Sequence, residues 1–123
     1  MKTILIVEDN ERNMKLARDI LQVKGYRTIE AATGLAGIDA ALRNPPDLIL
    51  MDIQLPDISG IEVYLRLRAE SATAGIPAIA FTASVTQADR NRIMDAGFAG
   101  FLAKPINLKE FLRTIEGILE KGS

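Results

Sequence analysis

Four short apolar stretches of this chain each end in polar side chains of a kind that performs chemistry. In chain order they lead to Glu8 and Asp9, to Asp52, to Thr82 and to Lys104. Three carboxylates that meet in one crevice repel one another and need a compensating charge. A hard cation such as Mg²⁺ suits them, because it binds one or two carboxylates together with waters and phosphate oxygens. The set therefore indicates phosphoryl chemistry, provided that the fold brings these four ends together.

Asp52 is the strongest candidate for a nucleophile. It follows the run LILM at 48–51, which lacks alternation and is typical of a central strand buried on both faces. The chain has no histidine and no cysteine, which excludes imidazole bases, thiolates and the usual zinc ligands. An aspartate can itself accept a phosphoryl group as aspartyl-phosphate. Glu8 and Asp9, from another strand, are then better placed as metal ligands.

Thr82 and Lys104 suit the same reaction. The ammonium group of Lys104 would take the charge of a phosphoryl group, and the hydroxyl of Thr82 could donate a hydrogen bond to one of its oxygens. Each residue alone has a plain structural explanation, since threonine is common in strands and lysine is usually a solvated surface charge. Because both residues follow strands of one predicted sheet, together they favour a shared functional site more strongly than each residue does alone.

The hydropathy pattern predicts five strands that alternate strictly with five helices. The predicted strands are 2–7, 26–31, 48–52, 77–82 and 98–104. This alternation indicates an α/β fold with one parallel sheet and helices on both faces. For five strands we favour the flavodoxin-like, doubly wound order 2-1-3-4-5, whose switch point lies between the first and third strands. All four polar strand ends would surround that point.

The helices differ in the clarity of their amphipathic pattern. The last one, capped by Asn107, is the clearest. In the third helix Ile61, Tyr64 and Leu65 are predicted to face the core. The segment 86–96 is short, polar and only weakly amphipathic, and we therefore take it as the element most able to move.

Composition limits the class of protein. The chain has 123 residues, 48% of them hydrophobic, and a formal net charge of −1, which suits one ordinary globular domain. The absence of a basic stripe argues against direct nucleic-acid binding, and no apolar run is long enough for membrane insertion. The lack of cysteine fits a reducing, cytoplasmic location. Because only 120–123 follow the last helix, we expect a single domain at 1–123 without an output domain.

Four motifs together resemble the response-regulator receiver domain of the CheY-like superfamily, the phospho-acceptor of two-component signalling. They are VEDN at 7–10, LILMDIQLPDISGIE at 48–62, FTA at 81–83 and LAKP at 102–105. The resemblance covers essentially the whole chain. It is greatest to stand-alone receivers of the DivK type, and extends to receivers of hybrid histidine kinases, which share the VEDN-x-x-N opening.

The resemblance implies a chemical role for the acids. Asp52 would accept a phosphoryl group from a phosphohistidine on a histidine kinase or histidine phosphotransferase. The cofactor would be Mg²⁺ (or Mn²⁺), bound directly by Asp9 and Asp52, by Glu8 mostly through water, and by the backbone carbonyl of Gln54. The chain would then catalyse only its own phosphorylation and dephosphorylation.

The resemblance also implies a switch. Thr82 would move to bond the phosphoryl group, Lys104 would pair with it, and Phe101 would stand where the family often has a switch tyrosine. Pro105 would follow a cis peptide, and the small Ala83 would leave room for the phosphoryl group. The expected output is a surface on the fourth helix, fifth strand and fifth helix that binds a downstream protein, in cell-cycle or developmental signalling.

Three other functions fit parts of this pattern less well. A haloacid-dehalogenase-type enzyme usually needs a second acid two residues after its nucleophile, where this chain has Gln54. A flavodoxin-like cofactor binder needs a phosphate-cradling loop after the first strand, where the acidic EDNER at 8–12 would repel phosphate. A pseudo-receiver that acts as a constitutive scaffold is disfavoured because the acids, threonine and lysine are all present.

Overall fold

A computed structural model describes residues 1–83 and 86–121, in which five strands alternate with five helices. The strands are β1 (Thr3–Val7), β2 (Arg27–Ala31), β3 (Leu48–Met51), β4 (Ala78–Thr82) and β5 (Gly100–Ala103). The helices are α1 (Glu11–Val23), α2 (Gly34–Arg43), α3 (Gly60–Arg68), α4 (Gln87–Asp95) and α5 (Leu108–Lys121).

The strands form one parallel sheet in the order β2-β1-β3-β4-β5. The predicted fold class and strand order are therefore confirmed. Every residue of β3 is fully buried, as expected of a central strand covered on both faces. The ladder continues past the strand ends, because the amide of Asp52 donates to the Val7 carbonyl at 2.9 Å and the amide of Lys104 donates to the Thr82 carbonyl at 2.9 Å.

Alternate residues of β1, β3, β4 and β5 enter two separate hydrophobic layers. In β1, Leu5 and Val7 belong to the layer covered by α2, α3 and α4, whereas Ile4 and Ile6 belong to the layer covered by α1 and α5. The side chains that α1 and α5 bury in their layer are Met14, Ala17, Leu21, Phe111, Ile115 and Leu119. Both faces of the sheet are thus dry, and its carboxyl edge remains available for polar groups.

The prediction that Leu65 faces the core is wrong. Its exposed fraction is 47%, while Val63, Tyr64 and Leu67 are buried. The helix begins at Gly60, and the positions that follow it by three, four and seven residues form one face. Leu65 lies about 100° from Tyr64 around the helix axis, which places it outside the buried face.

The fifth strand is shorter than predicted. It begins at Gly100 and not at residue 98, so Phe98 lies before it. The Phe98 ring packs against Tyr64 with 4.5 Å between the ring centroids, which ties the start of β5 to α3. The Tyr64 hydroxyl also donates to the carbonyl of Gly97 at 3.2 Å.

Side-chain caps open all five helices of the described chain. Each cap accepts a hydrogen bond from a backbone amide of the first turn, and the caps are Asn10, Thr33, Ser59, Thr86 and Asn107. The predicted cap Asn107 is confirmed. No helix in residues 1–83 and 86–121 is long and apolar enough to cross a membrane.

Two leucines of α3 provide a test of this arrangement. We expect Leu67→Ala to lower the free energy of unfolding by about 3 kcal/mol, because it empties a buried site. Leu65→Ala on the same helix should cost less than about 1 kcal/mol, because that side chain is half exposed. Urea unfolding of both variants measures the difference. Equal losses would show that the assigned face of α3 is wrong.

Candidate functional site

Asp52 lies immediately after β3, at the switch point between β1 and β3. Its exposed fraction is only 3%. Its Oδ1 accepts a hydrogen bond from the amide of Gln54 at 3.0 Å, and its Oδ2 accepts one from Nζ of Lys104 at 3.1 Å. The carboxylate is thus held in a fixed orientation by one backbone and one side-chain donor.

Lys104 joins Asp52 to Glu8. Its Nζ lies 2.6 Å from Oε1 of Glu8 and 5.1 Å from the centroid of the Phe81 ring. Burial lowers the pKa of Lys104, but its contacts with Glu8 and Asp52 outweigh this effect and the net shift is upward. Lys104 therefore remains a cation, placed between two buried carboxylates.

Glu8 is the more poorly compensated of these two acids. Its exposed fraction is 2%, and its Oε2 accepts a hydrogen bond from the amide of Asn10 at 3.1 Å. Burial raises the pKa of Glu8 to about 7, although Lys104 and the Asn10 amide oppose the shift. One lysine thus leaves the site short of positive charge when both acids are ionised.

Asp9 completes a cluster of three acids with the correct chemistry for a hard divalent cation. Glu8, Asp9 and Asp52 each offer a carboxylate oxygen, and these oxygens lie within 4.8 Å of one another. Asp9 is exposed while the other two are buried, so the cluster is open to solvent on one side. An all-oxygen set that retains open positions is the type of site that Mg²⁺ prefers. The residues present fit such an ion.

The remaining residues named from the sequence lie around this cluster. Thr82 is buried at the end of β4, and the amide of Gln54 contacts Asp52. The peptide bond between Lys104 and Pro105 is cis. Phe101 lies near the start of β5, three residues before Lys104 and opposite Ala80 of β4, and is partly buried. The guanidinium carbon of Arg90 in α4 lies 5.2 Å from its ring centroid.

Gly60 sets how closely the start of α3 approaches Asp52. A Cβ at this position would collide with the backbone carbonyl oxygen of Asp52 and lie 2.9 Å from Cγ of Met51. The amide of Gly60 also donates to the Ile53 carbonyl at 3.0 Å. Only glycine permits this approach without a shift of the backbone that carries the candidate nucleophile.

Sequence reasoning missed the part played by Asp57. It lies in the loop after β3, and its carboxylate accepts hydrogen bonds from the amides of Gly34 and Leu35 at the start of α2. These partners lie more than 20 residues away in the chain. No local pattern marks such a contact, because it depends on how α2 and α3 are arranged on the sheet.

Comparison with known proteins agrees with this fold. The family model of the response regulator receiver domain matches residues 4–116. The chain therefore belongs to the response regulator receiver family, whose members act in two-component signalling.

The chain is similar to several individual members of this family. The polar-differentiation response regulator DivK of Brucella ovis is 46% identical over 118 residues, which are 96% of each protein. The receiver domain of the sensor histidine kinase PA1611 of Pseudomonas aeruginosa has 35% identity and a TM-score of 0.89, with 99% of this chain and 98% of that one covered. That structure holds a magnesium ion coordinated in its active-site cleft. A CheY-like receiver of Methanospirillum hungatei is 30% identical, with a TM-score of 0.89 over 98% of this chain and 95% of that one.

We predict that Gly60→Ala lowers the free energy of unfolding by about 2 kcal/mol or more, because the new methyl group cannot fit against the Asp52 carbonyl. Gly117→Ala is the matched control. It lies within α5 and its Cβ would meet nothing within 4 Å, so it should stabilise the protein by up to ~1 kcal/mol. Thermal or urea unfolding compares the two. Similar effects of both substitutions would contradict the close approach at Gly60.

Proposed function

We propose that this chain accepts a phosphoryl group on Asp52 from a phosphohistidine on a partner histidine kinase or histidine phosphotransferase. The observation that carries the proposal is the pairing of Asp52 with Lys104 inside a cluster of three acids. A buried carboxylate with a fixed cation beside it and further oxygen ligands around it suits transfer of a highly charged group. The proposal includes a cytoplasmic location, which suits a chain without cysteine.

In the proposed step an oxygen of Asp52 attacks phosphorus while the phosphorus–nitrogen bond of the donor breaks. The electron pair of that bond stays on the imidazole of the partner, and an aspartyl-phosphate forms. Nζ of Lys104 already lies 3.1 Å from Oδ2 of Asp52, so the phosphoryl oxygens come within its reach. Bound Mg²⁺ (or Mn²⁺), held by Glu8, Asp9, Asp52 and the Gln54 carbonyl, would supply further charge neutralisation.

The amide of Gln54 has a separate part in the proposed step. It donates to Oδ1 of Asp52 while Nζ of Lys104 donates to Oδ2, so the two donors together orient the carboxylate for attack. Thr82 follows β4, the strand next to β3, and its hydroxyl would donate to a phosphoryl oxygen. Dephosphorylation is the attack of water on the same phosphorus, with the Asp52 carboxylate as the leaving group.

The proposed output is a change in the surface formed by α4, β5 and α5, read by a downstream protein. Ile93 is the only side chain of α4 that is buried, so little hydrophobic contact holds this helix in place. Its C-terminal end is held by Arg68, which donates to the Ala96 carbonyl at 2.7 Å. Arg90, nearer its start, rests on the ring of Phe101. Inward rotation of Phe101 would remove that contact and free the start of α4.

The pathway is proposed by likeness alone. The relatives named DivK are described as polar-differentiation response regulators, and we therefore place this chain in cell-cycle or developmental signalling. A constitutive scaffold would share the fold without the chemistry, and the experiments below separate the two.

Incubation with Mg²⁺ and a small-molecule phosphodonor should add the mass of one phosphoryl group to the intact protein. Asp52→Asn should abolish the gain, because it removes the nucleophile, and a chelator should suppress it, because the acids are then uncompensated. Intact mass spectrometry measures both effects. Asp39→Asn is the matched control, since Asp39 is an exposed acid paired with Arg43 on α2, and it should label as the wild type does.

Labelling of Asp52→Asn at the wild-type level would contradict the assignment of the nucleophile. A wild-type protein that gains no mass under any Mg²⁺ or Mn²⁺ concentration would favour the scaffold.

The same phosphodonor should speed amide hydrogen exchange in α4 and alter it in β5, because the Arg90–Phe101 contact is expected to break. Asp52→Asn should show no such change. Hydrogen exchange followed by mass spectrometry resolves these segments. Phosphorylation that leaves α4 and β5 unchanged would rule out this surface as the output.

A further inference from the structure

The loop between β3 and α3, residues 53–59, carries the parts of the site that follow Asp52. It has no regular secondary structure. Its first residues are held by the bond from the Gln54 amide to Asp52, and its end is held by the bond from the Gly60 amide to the Ile53 carbonyl. These bonds hold the two ends of the loop to β3 and α3, and the side chains of Ile53, Leu55 and Ile58 pack against the hydrophobic layer below.

Asp57 supplies polar contacts from this loop to a separate element. Its Oδ1 accepts a hydrogen bond from the amide of Gly34 at 2.8 Å, and its Oδ2 accepts one from the amide of Leu35 at 2.8 Å. Both oxygens of one carboxylate are therefore engaged at the start of α2. The Leu35 amide is the largest cause that lowers the pKa of Asp57, to about 2, so the group is ionised at neutral pH.

The start of α2 is suited to hold a carboxylate. The first amides of a helix have no partner within the helix, and its dipole places partial positive charge there. Asp57 satisfies the amides of Gly34 and Leu35, while the Thr33 hydroxyl oxygen accepts from the amide of Ala36 at 3.0 Å. The two caps thus divide the first turn between them, one from the distant loop and one from the helix's own flank.

The loop also packs closely on the same helix start. A Cβ on Gly34 would lie 2.7 Å from Cγ1 of Ile58 and 2.8 Å from Cγ2 of Val63. There is no room for a side chain between α2 and the loop. The two hydrogen bonds of Asp57 therefore join the loop to α2 at a place where the two segments are closely packed. Movement of the Asp57 carboxylate would move the loop with it.

We propose that Asp57 is a positioning residue for the phosphorylation site, which holds the loop against α2 and so fixes the Gln54 carbonyl and the backbone after Asp52 for metal binding. The inference rests on the proposed function. Gln54 lies three residues before Asp57, so an anchor at Asp57 restricts where its carbonyl can point. Loss of the anchor leaves the three carboxylates in place but loosens the remaining ligand.

Thr33 provides a control for a purely structural role. Thr33→Ala and Asp57→Ala each remove a cap from the first turn of α2, but only Asp57→Ala releases the loop. Asp57→Asn retains one acceptor oxygen without the negative charge, so it should have an intermediate effect.

The test is a calorimetric Mg²⁺ titration of the wild type, Asp57→Ala, Asp57→Asn and Thr33→Ala. Asp57→Ala should raise the Mg²⁺ dissociation constant by ~10-fold, the lower end of the range for residues that support metal ligands. Asp57→Asn should raise it by less, and Thr33→Ala should leave it within about twofold of the wild type.

Amide hydrogen exchange without metal gives a second readout. Asp57→Ala should speed exchange in the loop and at Gly34 and Leu35, whereas Thr33→Ala should act mainly at Ala36.

Equal weakening of Mg²⁺ binding by Thr33→Ala and Asp57→Ala would overturn the inference, since the effect would then follow from α2 stability. Unchanged binding in Asp57→Ala beside a wild type that binds Mg²⁺ would overturn it too, and would leave the proposed function intact. A wild type that neither binds Mg²⁺ nor accepts phosphoryl would overturn both.

Discussion

The structure depends on the placement of three carboxylates and one lysine at the carboxyl edge of the sheet. Glu8 and Asp52 are both buried, and Lys104 contacts both of them. Buried like charges are costly unless they are compensated. Lys104 brings one positive charge to the three carboxylates, and burial raises the pKa of Glu8 to about 7. This excess of carboxylates over cationic side chains suits the binding of a hard cation. The rest of the fold keeps these groups close.

The neighbouring elements act on that edge from different sides. Burial of β3 on both faces fixes the backbone before Asp52, and the close approach of Gly60 fixes the backbone after it. Asp57 then ties the following loop to α2. In contrast, α4 is held mainly at its C-terminal end. The described contacts therefore concentrate around Asp52, whereas α4 buries one side chain, Ile93.

The sequence predicted the sheet well because four of the five strands are short apolar runs bounded by turn residues, and β2 alternates polar and apolar residues. Asp52 could be selected because a run of four residues buried on both faces indicates a central strand. The position of Lys104 beside Glu8 followed only after the strand order was assumed. Leu65 and Asp57 could not be placed, for different reasons. The direction in which Leu65 points depends on where α3 begins, because a shift of one residue rotates the side chains by about 100° around the helix axis. Asp57 depended on a contact between segments more than 20 residues apart.

The measurement that tests the central claim most directly is chemical identification of the phosphorylated residue. Borohydride reduces an aspartyl-phosphate to homoserine, and trypsin then releases the peptide 44–66, which also contains Asp47 and Asp57 as internal references. The account predicts homoserine at position 52 and unmodified aspartate at 47 and 57. Modification of Glu8 or Asp9, or of another acid in that peptide with Asp52 intact, would contradict it.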